Sequence, residues 1–339
     1  MAIGMTVLQG GLLTTLQDSG RWGYQGNGFP VSGCMDSQAM VHANALVNNP
    51  LGEAVLEMQY LGGSFRFEGE TYFALTGADM EAELNGRRIA NYRAAKVKKG
   101  DVLECHRAVN GRFGYLAVAG GFEVTKVLGS CSTNLKCRLG GWQGRALQSG
   151  DEIPLRRETD WLLNEYRKEI RPVSYEKEVT LRMTAGPQED MFTAKGLDDF
   201  YGSVYTLSEE SDRMGYRLSG KAVESKNGVD ILSDGIVLGS VQVPKNGMPM
   251  ILLADRQTTG GYAKIATVVS ADLTKLVQCM PGAKIRFEKV SLKKAVQLFR
   301  DEEKRQRAFC RAVGYCLDNR GTFDRYLQKR TERKTAARQ

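Results

Sequence analysis

Histidine is almost absent. His42 and His106 are the only two in 339 residues, which leaves little from which to build a Ser-His-Asp triad or a structural zinc site. General acid–base work falls to Asp, Glu, Lys or Tyr. No two cysteines are spaced Cys-x-x-Cys; Cys34, Cys105, Cys131, Cys137, Cys279, Cys310 and Cys316 are scattered and odd in number, so they read as reduced thiols. No stretch approaches the roughly 20 consecutive apolar residues of a membrane span, and the N-terminus lacks a basic segment leading into an apolar signal core. A cytoplasmic location is the expectation. Net charge is also scarce outside the C-terminus: of the formal +8, residues 300–339 supply +6 (12 Lys/Arg against 6 Asp/Glu), leaving +2 elsewhere. Such a balance describes a solvated basic tail rather than a nucleic-acid face.

Short runs rich in Val, Ile, Tyr and Phe are abundant: Tyr72 to Leu75, Phe113 to Val118, Val179 to Met183, Met250 to Leu253 and Ile265 to Val269. Glycine turns introduce further apolar runs at Gly100, Gly150 and Gly282. The pattern predicts a mainly β chain with closed antiparallel sheets rather than strand–helix–strand repeats. Helices are predicted from Asp36 or Ser37 to about Val47, opening at Gln188 to Ala194, over the charged stretch Thr159 to Ile170, and from Ser291 to about Leu317. The last places Ala295, Val296, Phe299, Phe309, Val313 and Leu317 on one apolar face. The expected organisation is a domain over 1–157, a charged linker over 158–172, a second domain over 173–290, and a C-terminal helix with basic tail over 291–339.

Three segments carry candidate chemistry. In the first, Gln17, Asp18, Arg21 and Tyr24 crowd between glycines; Arg21 can offer a planar fork to a carboxylate with Asp18 holding it, or the pair merely fixes its own turn. The second is Asp212-Arg213-Met214-Gly215-Tyr216-Arg217; in an extended strand Arg213, Gly215 and Arg217 share a face, giving an anion site, with two separate surface ion pairs as the alternative. Gly215, Gly220 and Lys221 begin a phosphate-loop pattern, but Ala222 stands where the magnesium-binding hydroxyl belongs, so no ATP site of that type is expected. The third segment runs from Gln242 through an apolar strand to Asp255-Arg256-Gln257-Thr258-Thr259-Gly260-Gly261-Tyr262. Its hydroxyls and glycine-exposed N–H groups can cradle an oxyanion, or stabilise a tight turn.

Together with Met35-Asp36, Ala43-Asn44, Leu56-Glu57, Leu75-Thr76-Gly77-Ala78, Tyr115 to Gly121, Gly140-Gly141 and Gly144-Arg145, these segments resemble the family of C-type subunits of 5-oxoprolinase, also labelled allophanate hydrolase subunit 2 or biotin-dependent carboxyltransferase. The resemblance covers about Gly11 to Phe287. Asn48 departs from it where a Gly is usual, Lys221 where a Pro is common, and the linker around Trp161 and the tail after about Asp301 fall outside it.

The resemblance implies two cyclophilin-like β-barrel subdomains and a polar site between them. It implies a component of an ATP-dependent complex that opens 5-oxoproline to glutamate beside a companion cyclophilin-like subunit of the B type and a lactam-utilisation subunit of the A type. One alternative is a biotin-dependent carboxyltransferase moving a carboxyl group to a urea-like acceptor; another is a non-catalytic partner of a kinase-inhibitor-like companion. The chain has no Met-Lys dipeptide, so biotin would have to arrive on another protein, and ATP is expected to be used by the complex without a nucleotide motif here. The expected catalytic centre is Asp255, Arg256, Tyr262, Asp212 and Arg213. Gln17, Asp18, Arg21, Tyr24, Arg217, Gln242, Gln257, Thr258, Thr259, Gly260 and Gly261 are expected to bind substrate, with no metal. On this basis Arg256→Ala is expected to abolish turnover without lowering the melting temperature.

Overall fold

Apolar runs bounded by turns form strands, Thr71–Asp79 and Asn110–Val118 buried almost continuously and Glu178–Ala185 alternating in burial. The computed structural model describes residues 3–315. Their contacts divide the chain into two units: Met1–Gly23, Ser32–Ser174 and Arg305–Gln339 in the first, Tyr24–Val31 and Tyr175–Lys304 in the second. The basic tail from Cys316, with the helix position predicted for Leu317, lies outside the described residues.

The first unit holds two antiparallel sheets. One runs in the order Glu152–Pro154, Gly4–Gln9, Ser64–Phe67, Val102–Glu104, Glu83–Leu84, Arg87–Arg88; the other in the order Thr14–Gln17, Val55–Gln59, Asn110–Val118, Thr71–Asp79, Ala94–Val97. Met5, Val7, Phe65, Phe67 and Leu103 from the first join Leu16, Leu56, Met58, Phe73 and Leu116 from the second in one buried cluster. Phe67 and Phe73 stack with ring centroids 5.5 Å apart, and truncating such a ring to Ala costs about 3–5 kcal/mol. Against the second sheet lies the helix Ser37–Leu46, started where predicted: Asp36 caps it by accepting from the amides of Gln38 and Ala39.

The charged stretch 158–172 belongs to this unit rather than forming a helix. Only a single 3-10 turn, Glu165–Arg167, forms there. Lys168 is buried and its Nζ donates to the carbonyl of Ala45 (3.1 Å) and to Asn48 Oδ1 (2.7 Å), a cation placed on the last carbonyls of the helix Ser37–Leu46. Asn48 itself has φ +55°, a left-handed backbone that glycine adopts freely and Asn tolerates. The departure from the family's Gly is thus conformationally compatible, and it adds a partner for Lys168.

The second unit contains a closed barrel in the order Glu178–Ala185, Lys264–Val268, Ser240–Gln242, Met250–Leu252, Gly215–Ser219, Tyr205–Leu207, Lys284–Lys289. Closure comes from the parallel pairing of Glu178–Ala185 with Lys284–Lys289. The helix Ala194–Gly202 is capped by Thr193, and its Phe200 packs on Phe287, centroids 4.6 Å apart. Of the helix expected from Gln188, only a 3-10 turn, Glu189–Met191, precedes that cap. A separate two-stranded ribbon pairs Asp230–Gly235 with Thr259–Tyr262.

A helix forms over Leu292–Ala312, within the expected span; its buried positions are Leu298, Gln306 and Cys310, with Val313 buried just after it, while Val296 is 43% exposed. Ala295, Phe309 and Val313 of the expected face are packed, whereas Val296 is replaced by Leu298, which packs on Val269 and Ala271.

Candidate functional site

An apolar strand delivers the third segment to its place. Ile251 and Leu252 are buried in the barrel between Ser240–Gln242 and Gly215–Ser219, and the chain turns immediately after them. Backbone bonds from Leu253 N to Met214 O and from Asp255 N to Arg213 O, each 2.9 Å, hold the turn against the start of the neighbouring strand. There the Arg213 guanidinium grips Asp255 with both arms, Nε to Oδ2 at 2.9 Å and Nη2 to Oδ1 at 3.2 Å. The two side chains are only 7% and 10% exposed, so the pair is held in a low-dielectric setting where a fork-on-carboxylate geometry is strongly directional.

Arg256 turns inward. Its Nε donates to Ile236 O (3.3 Å) and Nη1 to Leu253 O (3.1 Å), and burial pushes its guanidinium down to about 10 against the opposing pull of Asp255. Its contacts brace the turn rather than reach outward. Beyond it, Gln257 and Thr259 are exposed, Thr258 is half-buried and Tyr262 is 37% exposed. Gln242 is fully buried and its Nε2 donates to Tyr262 O at 3.3 Å. A Cβ on Gly260 would stand 2.7 Å from that same Nε2 and from Ile236 Cδ1, so a side chain there would have to displace the ends of Gln242 and Ile236.

Asp212 and Arg217 lie apart from this group. The strand starts at Gly215, so Arg213 sits in the turn before it and the predicted shared face of Arg213, Gly215 and Arg217 does not form. Asp212 is exposed and its Oδ1 accepts from the amides of Met214 (2.8 Å) and Gly215 (3.2 Å), a side-chain-closed turn. Arg217 points outward, 56% exposed, 4.0 Å from Glu210. The phosphate-loop half-match is equally unlike a nucleotide cradle: Gly215–Ser219 is a barrel strand and Lys221 pairs with Asp199 at 2.6 Å.

In the first unit, Gln17, Asp18 and Arg21 are interior. Asp18 Oδ1 accepts from Gly20 N (2.8 Å), Ser130 Oγ (2.6 Å) and Ser132 Oγ (2.6 Å), and Oδ2 from Cys131 N (2.7 Å). Arg21, fully buried, donates from Nε to Val127 O (3.0 Å) and from Nη2 to Ser132 O (2.9 Å). Gln17 Nε2 reaches Thr133 O at 3.0 Å. The three side chains clasp the loop after Thr14–Gln17 to residues 127–133. Tyr24 falls in the segment Tyr24–Val31 of the second unit, where its carbonyl accepts from Asn27 N and Phe29 N.

Several polar residues escaped the sequence reading. Ser130, Ser132 and Thr133 form a hydroxyl run whose partner, Asp18, is over a hundred residues away, and only that run signalled them. Glu57 Oε2 accepts from Met35 N (2.7 Å) and from Tyr115 OH (2.9 Å), while Tyr115 OH accepts from Asp36 N (2.7 Å); burial and the neighbouring Glu57 push the Tyr115 phenol well above its ordinary range. Gln188, Asp234 and Lys264 also come together beside Gln242, with no motif to announce them. Among the described residues, no group of three or more His, Cys, Asp or Glu is placed to hold a metal ion, and no helix is long and apolar enough to cross a membrane.

Residues 27–289 match the family model described as carboxyltransferase domain, subdomain A and B. The chain is 39% identical over 289 residues to the 5-oxoprolinase C subunit of Haemophilus influenzae, spanning 85% of this chain and 92% of that protein. It is 36% identical over 304 residues to the 5-oxoprolinase C subunit of Escherichia coli, spanning 88% and 96% respectively. The crystal structure of the K. lactis urea amidolyase superposes with a TM-score of 0.83 at 29% identity, covering 91% of this chain and 20% of that one. The mostly β architecture, with the seven-stranded barrel of the second unit, agrees with that likeness. By both the family match and the near-complete span of these relatives, the chain belongs to the carboxyltransferase domain, subdomain A and B, family.

Proposed function

We propose that this chain is the C-type subunit of an ATP-dependent 5-oxoprolinase complex, working in the cytoplasm beside a cyclophilin-like companion of the B type and a lactam-utilisation subunit of the A type. One observation carries the choice: it spans 92% and 96% of two proteins named as the C subunit of 5-oxoprolinase, against 20% of the urea amidolyase chain. A lactam carbonyl is stabilised by resonance and is a poor electrophile. ATP, held elsewhere in the complex, activates the ring oxygen, and the protein's task here is to steady the charge that appears when water attacks.

The second unit has the groups for that task. Thr258, Thr259 and the backbone N–H groups around Gly260 and Gly261 supply donors to an oxyanion. Arg213 supplies positive charge, and Asp255, with both oxygens engaged by it, acts as the orienter of that guanidinium rather than as a base. Tyr262 closes the strand with a half-open phenol. Asp18 and Arg21 support the fold from within the first unit, and Asp212 and Arg217 are peripheral.

A biotin-dependent carboxyl transfer is the second reading, favoured by the name of the matching family and the urea amidolyase likeness. The exposed Gln257 and Thr259 fit the needs of a ureido oxygen, which takes hydrogen-bond donors, with biotin carried in on another protein. Non-catalytic binding of a kinase-inhibitor-like companion has no specific contact in its favour. The experiment that separates them mixes the purified companion subunits and follows 5-oxoproline-dependent ATP hydrolysis with and without this chain. Hydrolysis that requires the chain is expected; an unchanged rate on its omission would remove it from catalysis.

A further inference from the structure

The ribbon that carries Thr259–Tyr262 has little of its own to hold it down. Its partner strand Asp230–Gly235 is exposed along nearly its whole length, with Leu232 94% exposed, and a two-stranded ribbon is marginal by itself. Two ion pairs tie it to the rest of the unit: Lys264 Nζ meets Asp234 Oδ2 at 2.8 Å, and Lys245 Nζ, between the barrel strands Ser240–Gln242 and Met250–Leu252, meets Asp230 Oδ2 at 3.0 Å; the second lies between two exposed side chains and contributes little. Asp234 stands opposite Gly260 in the ribbon, and Lys264 stands opposite Gln242 in the barrel. Gln188 completes the join, its Oε1 accepting from Lys264 N (3.2 Å) and its Nε2 directed at Asp234 Oδ2 (3.4 Å). The Lys264 ammonium holds the Asp234 carboxyl below the usual carboxylate range, helped by the amide of Gly235.

The two partners are unequal in a way that matters. Lys264 is 3% exposed and Asp234 54% exposed. The carboxylate is content in water without its partner, whereas the ammonium, deprived of the carboxylate, is a buried charge that must find water by moving its cover. Its cover includes the ribbon.

We propose that Asp234, Lys264 and Gln188 are positioning residues that latch the Thr259–Tyr262 strand over Gln242 and so fix its hydroxyls and backbone donors for the carbonyl-bearing substrate. The latch rests on the proposed function only in its last clause; the fastening of the ribbon stands on the contacts themselves.

The inequality gives an unusual sign to the test. Asp234→Asn leaves the buried ammonium without its carboxylate and frees the ribbon. Lys264→Met keeps the stem and leaves Asp234 solvated, so it is milder. The double variant Asp234→Asn/Lys264→Met should therefore recover towards the level of Lys264→Met alone. In the assembled complex, Asp234→Asn is expected to lower kcat for 5-oxoproline-dependent ATP hydrolysis about tenfold or more with the KM for ATP unchanged, and the double variant is expected to regain most of that loss. Hydrogen exchange at the amides of residues 259–262 should quicken in Asp234→Asn and slow again in the double variant, with the barrel strands unaffected. Wild-type kcat in Asp234→Asn, or a double variant no better than it, would overturn the positioning role. Should the wild-type complex prove inactive, the proposed function falls, and the exchange pattern alone decides the latch: protection at 259–262 unchanged in Asp234→Asn would overturn it.

Discussion

Two segments of this chain look alike in sequence, an aspartate, an arginine and a glycine within a few residues, yet Asp18 and Arg21 end in a different physical state from Asp212 and Arg213. In the first unit the carboxylate and the guanidinium are both spent on the protein's own hydroxyls and backbone, with Asp18 taking four donors and Arg21 fully buried. In the second unit Asp212 folds back on its own turn at the surface, and Arg213 is gripped instead by Asp255 from another strand end. The difference lies in what the fold sets opposite. A hydroxyl-rich run closes the first segment into a clasp, while a strand ending in a polar loop gives the second a carboxylate partner and half-open neighbours. A sealed clasp stabilises; in the second unit the gripped guanidinium belongs to a turn whose chain runs on into the exposed Gln257 and Thr259.

The sharpest way to break that contrast is Asp18→Ala. It leaves Ser130 Oγ, Ser132 Oγ and the amides of Gly20 and Cys131 without their acceptor in a buried place, at a cost of about 4 kcal/mol. All three tryptophans, Trp22, Trp142 and Trp161, lie in the first unit, so a urea titration followed by tryptophan fluorescence reads that unit directly. A midpoint unmoved by Asp18→Ala would mean the clasp holds nothing.

Arg256 sharpens the same contrast from the other side. The sequence pointed to an anion clamp whose removal would spare stability, but Arg256 Nε and Nη1 donate to the carbonyls of Ile236 and Leu253. Arg256→Met therefore takes the side-chain donor from Ile236 O and leaves Leu253 O with only the backbone amide of position 256; it is expected to cost about 1–2 kcal/mol, lowering the melting temperature together with activity. If turnover vanished while the melting temperature held, Arg256 would be a ligand-binding group after all.

Local signals were legible where local physics decides. Asp36 caps its helix because its carboxylate lies within reach of the next amides, and the apolar runs around Tyr72, Phe113, Val179, Met250 and Ile265 all form strands, that around Val179 alternating in burial and those around Tyr72 and Phe113 buried almost throughout. Illegible were the outcomes chosen by distant partners. Lys168 sits in a charged stretch that reads as a solvated linker, and only the carbonyl end of the helix Ser37–Leu46 draws it inside. Strands as short as Glu83–Leu84 and Arg87–Arg88 carry too few residues for any period to show. Within the candidate site, Asp255, Thr258 and the Thr259–Tyr262 strand were visible as a polar loop after an apolar run. Lys264 and Asp234 were not, because nothing in either neighbourhood marks the other as its partner.

The smallest effect expected per unit of its variable also belongs to the first unit. His42 lies in the helix Ser37–Leu46 with its ring stacked on Phe309, centroids 3.7 Å apart, and edge-on to Tyr92; burial pushes the imidazole down to about 3. In the unfolded chain the same ring takes a proton near pH 6.5. Burial of the neutral ring thus costs nothing above about pH 6.5, and stability is lost as pH falls from there towards about 3, because the unfolded state binds a proton that the native state refuses. The slope is about 1 kcal/mol per pH unit. In the second unit, burial pushes the Asp272 carboxyl up, but hydrogen bonds from Arg182 and Lys275 outweigh it and hold it below its ordinary range, so its contribution persists until pH falls into the carboxylate range. Between pH 6.5 and 4.5 the tryptophan-reported midpoint should therefore slide, and His42→Gln should flatten that slide while shifting the midpoint at pH 7.5 by a constant amount. An equal slope in His42→Gln would assign the acid sensitivity to another group.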